Sequence, residues 1–389
     1  MTQIHADLVI IGNGMAAARL VQELKKQPGF DGSILMIGRE PRPAYNRVLL
    51  SSLLAGEVQD EALELHSAQW YREQGIELLC QDPVVTLEPE QHRLQTLGGK
   101  SVHYRQLVFA TGSNAYMPPL PGINLNGVMG FRNWQDVEIM RETAVRGGRA
   151  LVIGGGLLGL EAAEGLRKQG MSTTVLQRSG YLLNRQLDRH AAGLLRETLE
   201  ARGLQIITGA GIEALQGNAE GWVTGVILKD GRCLPADLVV VATGITPEIS
   251  LARAAHLECD RAITVDGELR TSAQDIFALG ECCQFEGHTY GLVAPIWRQA
   301  RVLARVLQGE PDRYCEQPVA TQLKISGISL FSCGEIDAPD ADILEYQDPE
   351  LGDYCKLWSR GVKLVGAVLY GDTGMGNQYF EQLTQDAAP

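Results

Sequence analysis

The chain has 389 residues, a formal net charge of −13, 45% hydrophobic residues and 21% charged ones. That length supports two or three domains with cores of their own. The acidity argues against a general nucleic-acid binder, which needs a basic surface, and no apolar run approaches the roughly 18 residues of a membrane-spanning helix.

The first apolar run has no basic region before it and leads into a glycine turn, so it reads as a β-strand and not as a signal peptide. The expected location is cytoplasmic. In "DLVIIGNGMAAARLVQEL", from Asp7, a fully apolar strand of the kind a parallel sheet buries on both faces is followed by a helix pattern. Gly12 permits the tight turn, Gly14 lets backbone approach a pyrophosphate, and Ala17 stands where a third glycine would allow close helix–strand packing. The helix N-terminus then faces the phosphates. A second strand, "SILMIGRE", is expected to end at Glu40, the place for a carboxylate that accepts hydrogen bonds from an adenosine ribose.

The pattern occurs again after "RALVIGG", with Gly154, Gly156 and Gly159 ahead of "LEAAEGLRKQG". Its second strand, "STTVLQRS", carries Gln177 and Arg178 where the ribose carboxylate would be. An arginine there accommodates a 2′-phosphate; a solvated strand-end charge is the alternative. Three more stretches are read as buried strands followed by turns at the carboxyl end of a sheet, where such folds bind ligands. They are "LVFATGS" with Ala110, Thr111 and Gly112, "LVVVATGITPE" with Ala242, Thr243 and Gly244, and "LRTSAQDIFALGECC" with Gly280 and Glu281.

Eight cysteines are present, and Cys80, Cys233, Cys259, Cys282, Cys283, Cys315, Cys333 and Cys355 form no C-x-x-C pair and no zinc or iron–sulfur spacing. No metal site is expected. The adjacent Cys282 and Cys283 read as small buried residues of a reducing compartment, with a strained vicinal redox pair as the alternative.

Glycine turn, Ala-Thr-Gly, glycine turn, Ala-Thr-Gly and then T-S-x-x-x-I-F-A-x-G-E resembles the FAD-dependent pyridine-nucleotide reductases over nearly the whole chain. The resemblance implies an α/β fold of two Rossmann-like dinucleotide-binding domains, a split FAD domain with an inserted NAD domain, plus a small α+β C-terminal domain. The implied boundaries are 1–115 and 246–315 for FAD, 116–245 for NAD(P)H and 316–389 for the C-terminal domain. It also implies that Gly280 and Glu281 contact the ribityl chain, with Glu one methylene longer than the family's Asp. Ala294 and Pro295, in "GLVAPIWRQA", match the segment lying against the flavin. Glu161 matches a glutamate near the nicotinamide–flavin contact, where hydride would pass from NAD(P)H to FAD. Ala242, Thr243 and Gly244 join Gly154, Gly156, Gly159, Gln177 and Arg178 as the implied nicotinamide-nucleotide set.

Disulfide reductases of this build carry C-x-x-x-x-C near "PRPAYNRVLLSSLLAGE" and a histidine near the C-terminus. This chain has neither, so thiol chemistry is not expected. "AYNRVLLSS" is similar to the ferredoxin-reductase branch, with Ser52 where a lysine usually pairs with the glutamate matched by Glu161. Arg47 could partly fill that role. Arg47, Glu161 and Lys324 are the candidates for tuning the flavin; for Lys324 a strand-surface lysine is the alternative. "NRQLD", "ALGEC" and "VLYGDTG" add a resemblance to the flavin module of assimilatory nitrite reductase large subunits and the electron-transfer subunits of assimilatory nitrate reductases. The cysteine clusters of their iron–sulfur and sirohaem parts are absent here, which implies a stand-alone reductase module. The electron acceptor would be a redox protein: a nitrate or nitrite reductase component, or rubredoxin or ferredoxin. A monomer is plausible. A non-catalytic FAD/NAD(P)H redox sensor is the reading from another class. Arg298, Arg301 and Arg305 share one helix face, as a docking patch for an acidic partner or as a solvated face with local salt bridges.

Overall fold

The computed structural model describes residues 3–26, 30–325 and 327–385. The chain divides into two compact units. One comprises Met1–Arg47, Asp60–Asn114 and Ile245–Gln317, and the other Val48–Gln59, Ala115–Gly244 and Pro318–Pro389.

In the first unit a seven-stranded sheet is centred on Gln3–Ile11. Ile34–Ile37 and Ser101–Phe109 flank it in parallel, and Ile76–Leu79 and Ile276–Ala278 extend the parallel part on either side. Val84–Glu88 and Arg93–Thr96 add an antiparallel hairpin. Leu8, Val9 and Ile10 are fully buried, as a strand covered on both faces requires. The helix Met15–Lys26 turns Ala17, Leu20, Val21 and Leu24 inward and ends on Lys25 and Lys26, where cations suit the helix dipole. It packs against the helix Val293–Leu307.

The second unit holds an all-parallel five-stranded sheet in the order Gln205–Thr208, Ser172–Gln177, Arg149–Ile153, Leu238–Val241, Val128–Gly130. A three-stranded antiparallel sheet, Ile212–Gly217, Val223–Leu228 and Cys233–Pro235, adjoins it in sequence. The C-terminal part is a five-stranded antiparallel sheet from Thr321–Ile325 to Asp353–Arg360, with Asp342–Asp348 at its edge. The helix Gly376–Gln385 covers one of its faces, Tyr379, Phe380 and Leu383 meeting Phe331, Cys333, Ala367 and Leu369. The expected α/β class with a small α+β C-terminal part is what the structure shows.

Two strands are shorter than the sequence suggests. The strand expected to reach Glu40 ends at Ile37, because the chain turns at Gly38, where a Cβ would lie 2.7 Å from the Asn13 Cβ. The third apolar stretch keeps only Ile276–Ala278 as strand before a 3₁₀ turn at Gly280–Cys282.

The segment 48–59 belongs with the second unit through its helix Leu50–Leu54. Gly165 makes room for Leu54, whose Cγ lies 2.8 Å from where a Cβ would be. The Gln169 amide donates to the Leu54 carbonyl at 2.8 Å, and Lys168 pairs with Glu57 at 2.6 Å. Leu54 is fully buried. Leu54→Ala is therefore expected to cost about 2–4 kcal/mol, measured as a lower thermal midpoint of the second unit.

Candidate functional site

The first glycine turn is shaped by a single close approach. Gly12 sits at φ +118°, and a Cβ there would lie 2.1 Å from the Ala110 carbonyl oxygen. The Gly12 N–H donates to Ile37 O, and Ala110 N–H donates to Ile11 O, both at 2.8 Å. Gly14 faces open space, its nearest neighbour being the Arg47 Nε at 4.0 Å. Ala17 is fully buried between helix and sheet. Thr111 donates its hydroxyl to the Glu248 carbonyl at 2.6 Å, and Gly112 O accepts from Glu248 N–H at 2.9 Å.

Glu40 lies beyond its strand, where it accepts from the Tyr45 hydroxyl at 2.7 Å and from the Arg47 guanidinium. Burial acts to lower the Arg47 pKa, but the charges of Tyr45, Glu40 and Glu281 outweigh it and hold the group above the ordinary arginine value. Glu281 accepts from the Ser113 hydroxyl at 2.9 Å. Gly280, at φ +86°, donates its N–H to the buried Gln299 Oε1 at 2.8 Å. Pro295 is buried in the first turn of its helix, and Ala294 is exposed.

Two buried polar atoms of this unit, Asn13 Oδ1 in the glycine turn and Gln299 Nε2 beside Gly280, have no hydrogen-bond partner among the described residues. Buried polar groups are ordinarily satisfied. With the open backbone at Gly14, they fit a bound dinucleotide that completes the cradle.

The second turn repeats the construction bond for bond. Gly154 sits at φ +120°, with a notional Cβ 2.3 Å from Ala242 O. Gly154 N–H donates to Leu176 O and Ala242 N–H to Ile153 O, both at 2.8 Å. Gly156 has nothing within 4 Å of a notional Cβ, whereas at Gly159 it would lie 2.0 Å from Gly154 O. Thr243 donates to Tyr116 O at 3.3 Å, and Gly244 O accepts from Tyr116 N–H at 2.9 Å.

The structure places the remaining expected residues as follows. Gln177 is buried, and its Oε1 accepts from Gly155 N–H at 2.9 Å. Counted from the matching carbonyls of Ile37 and Leu176, the residue in register with Glu40 is Ser179. Arg178 is exposed. Glu161 accepts from the hydroxyl of Ser51, beside the Ser52 that stands in the lysine's place. Arg47 is engaged with Glu40 and lies over the Tyr45 ring at 4.8 Å. The side chain of Lys324 lies outside the described residues. The three arginines do share the helix Val293–Leu307, but Arg298 donates to Gln317 O at 3.4 Å and Arg305 pairs with Glu310 and Asp312, leaving Arg301 exposed. Cys282 and Cys283 are free and fully buried, and burial pushes both thiols up. Among residues absent from the sequence-based set, Asn13 stood between the two glycines and Ser113 closed "LVFATGS". Ser51 stood in "AYNRVLLSS" without a role assigned to it, and Gln299 gave no local signal.

Among the described residues no group of three or more His, Cys, Asp or Glu is placed to hold a metal ion, and no helix is long and apolar enough to cross a membrane.

Two dinucleotide cradles of the same construction in one chain define the class: a two-nucleotide oxidoreductase. Residues 6–302 match the family model described as pyridine nucleotide-disulphide oxidoreductase, and residues 318–386 that of the rubredoxin NAD+ reductase C-terminal domain. The chain belongs to the pyridine nucleotide-disulphide oxidoreductase family. It is 37% identical over 382 residues to a nitrite reductase [NAD(P)H] of Bacillus subtilis, covering 98% of this chain and 47% of that protein. It is 38% identical over 368 residues to the assimilatory nitrate reductase electron transfer subunit of the same organism, covering 94% and 48%. The chain thus spans about half the length of these relatives. Putidaredoxin reductase, in its covalent complex with putidaredoxin, superposes with a TM-score of 0.87 at 26% identity, covering 98% of this chain and 93% of that one. The family binds FAD and NAD(P)H.

The two kinds of glycine separate in a simple test. Gly12→Ala is expected to cost about 2–4 kcal/mol, since Ala110 cannot move without breaking its strand. Gly156→Ala is expected to leave the thermal midpoint within a degree or two and to weaken nucleotide binding about tenfold or more, read by calorimetry.

Burial raises the Glu161 pKa, the Ser51 hydrogen bond opposes this and the Glu57 charge adds to it. The native state therefore holds this proton more tightly than the unfolded chain. Its stabilising effect is complete below the unfolded value and is lost as pH rises through the folded one. Glu161→Gln is expected to melt higher than the parent at pH 8, with the gap closing towards pH 4.

Proposed function

We propose that this chain is an NAD(P)H-dependent FAD oxidoreductase that passes electrons from reduced pyridine nucleotide to a partner redox protein in nitrate or nitrite assimilation. The repeated cradle carries this reading, because one chain with two such turns can keep one dinucleotide and exchange the other. Gly12, Gly14, Ala17, Glu40, Arg47, Ala110, Thr111, Gly112, Gly280, Glu281, Ala294 and Pro295 are assigned to FAD. Gly154, Gly156, Gly159, Glu161, Gln177, Arg178, Ala242, Thr243 and Gly244 are assigned to NAD(P)H. Residues 1–115 and 246–315 form the FAD domain in this reading, 116–245 the nicotinamide domain and 316–389 the C-terminal domain.

Bound FAD supplies an acceptor that takes two electrons together and can release them singly. The protein supplies placement and charge. Gly14 and Gly156 let backbone approach the pyrophosphates. The Arg47–Glu40 pair keeps a cation and a carboxylate in fixed positions at the first cradle. Glu161, buried and hydrogen-bonded by Ser51, contributes a carboxyl that holds its proton into a higher pH range than an exposed one. Electron transfer of this kind needs no side-chain acid or base, and none is assigned.

A rubredoxin or ferredoxin reductase is the second reading. It is favoured by the match of residues 318–386 and by the likeness to putidaredoxin reductase along the full chain. Both readings predict a yellow protein whose visible absorption bleaches on adding NADH or NADPH and which reduces ferricyanide rapidly. Fast reduction of a nitrite or nitrate reductase component, with slow reduction of rubredoxin and ferredoxin, supports the first. A protein that stays colourless after incubation with FAD defeats both, and a reduced complex that persists without turnover identifies the sensor.

A further inference from the structure

We propose that the edge strand Asp342–Asp348 of the C-terminal sheet is a docking strand, which takes an extended, lysine- or arginine-bearing segment of another protein as an added strand. The site is independent of the two nucleotide cradles. The sheet ends at this strand: it pairs with Asp353–Arg360 on one side through its whole length, and among the described residues no strand lies on the other. In an antiparallel pair every second residue turns its N–H and C=O away from its partner. The outer side of Asp342–Asp348 therefore presents a row of backbone donors and acceptors. Natural edges are commonly closed by a proline, a bulge or a covering helix. This one has no proline, and its pairing runs without a register shift. The helix Gly376–Gln385 lies over Ile328–Gly334 and Lys363–Tyr370 instead.

The side chains of this strand are exposed as well. Leu344 is 67% exposed, Tyr346 60% and Ile343 56%, and Leu351 in the following turn reaches 75%. Leu344 and Tyr346 stand opposite Leu357 and Cys355. They extend to the sheet edge the face that carries Phe331, Cys333, Ala367 and Leu369. Ile343 stands opposite Trp358 on the other face. An apolar residue exposed singly needs no explanation, whereas a run of them beside unpaired backbone marks an interaction site. A strand laid along this edge covers Leu344 and Tyr346 with side chains of one face and Ile343 with those of the other.

Charge decides which strand fits. Residues 335–353 carry eight Asp or Glu and no Lys or Arg. Arg360 holds Glu335 and Asp340, at 2.8 and 3.0 Å, and Lys356 holds Glu345 at 3.0 Å. Asp337, Asp342, Asp348, Glu350 and Asp353 have no ion pair among the described residues. Asp348 accepts from the backbone N–H groups of Glu350 and Leu351, and Asp353 from that of Asp372, which leaves their charges uncountered. A second copy of this chain would set the same acids against each other. Paired about a two-fold axis at Glu345, it brings Asp342 opposite the second copy's Asp348 and Glu345 opposite its own equivalent, and like charges directly opposite are destabilising. The acids thus keep copies of the chain apart while leaving the edge open to the opposite sign. A segment alternating apolar and basic residues meets the backbone, the apolar side chains and the charge together.

The test titrates the purified full chain with labelled synthetic peptides, read by fluorescence anisotropy. One peptide alternates lysine and valine and one alternates glutamate and valine. Two more are the lysine peptide N-methylated at the backbone of its valines or of its lysines. The lysine peptide is expected to bind about tenfold or more tightly than the glutamate peptide. Methylation of one set should abolish binding and methylation of the other should spare it, because only one side of the peptide backbone meets the edge. Leu344→Ser combined with Tyr346→Ser should weaken binding about tenfold and leave the thermal midpoint within a degree or two. Equal binding of both methylated peptides and the parent peptide shows charge attraction alone and overturns the docking strand. So does an absence of binding of the lysine peptide at about 1 mM. A chain that sediments as a dimer, with Leu344→Lys restoring the monomer, makes a second copy the occupant and overturns it as well.

Discussion

A backbone carbonyl pressed against a glycine organises both halves of this chain. Ala110 O over Gly12 and Ala242 O over Gly154 come within 2.1 and 2.3 Å of where a side chain would begin. Only glycine tolerates that contact at a φ near +120°. The consequence is geometric: the turn cannot slide along its neighbouring strand, since its own N–H is bonded on the other side to Ile37 or Leu176. With the turn fixed, the next glycine and the first turn of the helix are fixed as well. Backbone amides then point at one place, which is how a neutral peptide segment binds an anion without a single cation.

The two turns share this lock and differ in what surrounds it. In the first, the bulk is in the turn and the space is at the strand end: Asn13 packs where Gly38 leaves room. In the second the sizes are exchanged, and Gln177 at the strand end packs against Gly155 in the turn. The exchange carries the charge pattern with it. A glycine at the strand end lets the chain continue to Glu40, which Tyr45 and Arg47 hold. A glutamine there draws the loop inward and turns Arg178 outward. Equivalent backbone thus ends in a carboxylate in one cradle and in guanidinium groups in the other.

The features legible in the sequence are those enforced by neighbouring residues. Glycine spacing, the apolar strands, the helix after each turn and the Ala-Thr-Gly partners follow from local sterics and burial, and the structure contains them all. The features that escaped depend on phase or on distant partners. Ser51 and not Ser52 meets Glu161 because the helix Leu50–Leu54 sets which of two adjacent serines faces the helix Leu157–Lys168. Arg298 and Arg305 share a helix face as their spacing implied, and the chain returning at 310–317 supplies partners for both, in line with the alternative of local salt bridges.

The C-terminal sheet is tied to the nearest helix at Asp188. It starts the helix Arg189–Ala201 and accepts from Tyr354 and Lys356 of the C-terminal sheet, while Thr198 and Tyr370 hydrogen-bond at 2.8 Å further along the same helix. A hydrogen bond to a charged group of this kind contributes about 1.5–3 kcal/mol, so the sheet anchors the helix and, with it, the loop ahead of it. A C-terminal module that only filled space would bury apolar surface there. This one places a tyrosine and a lysine against a single carboxylate at the start of the helix Arg189–Ala201. The two faces of that sheet thus divide the work: Tyr354 and Lys356 anchor the helix through Asp188, while Phe331, Cys333, Ala367 and Leu369 form the apolar cluster on the other face.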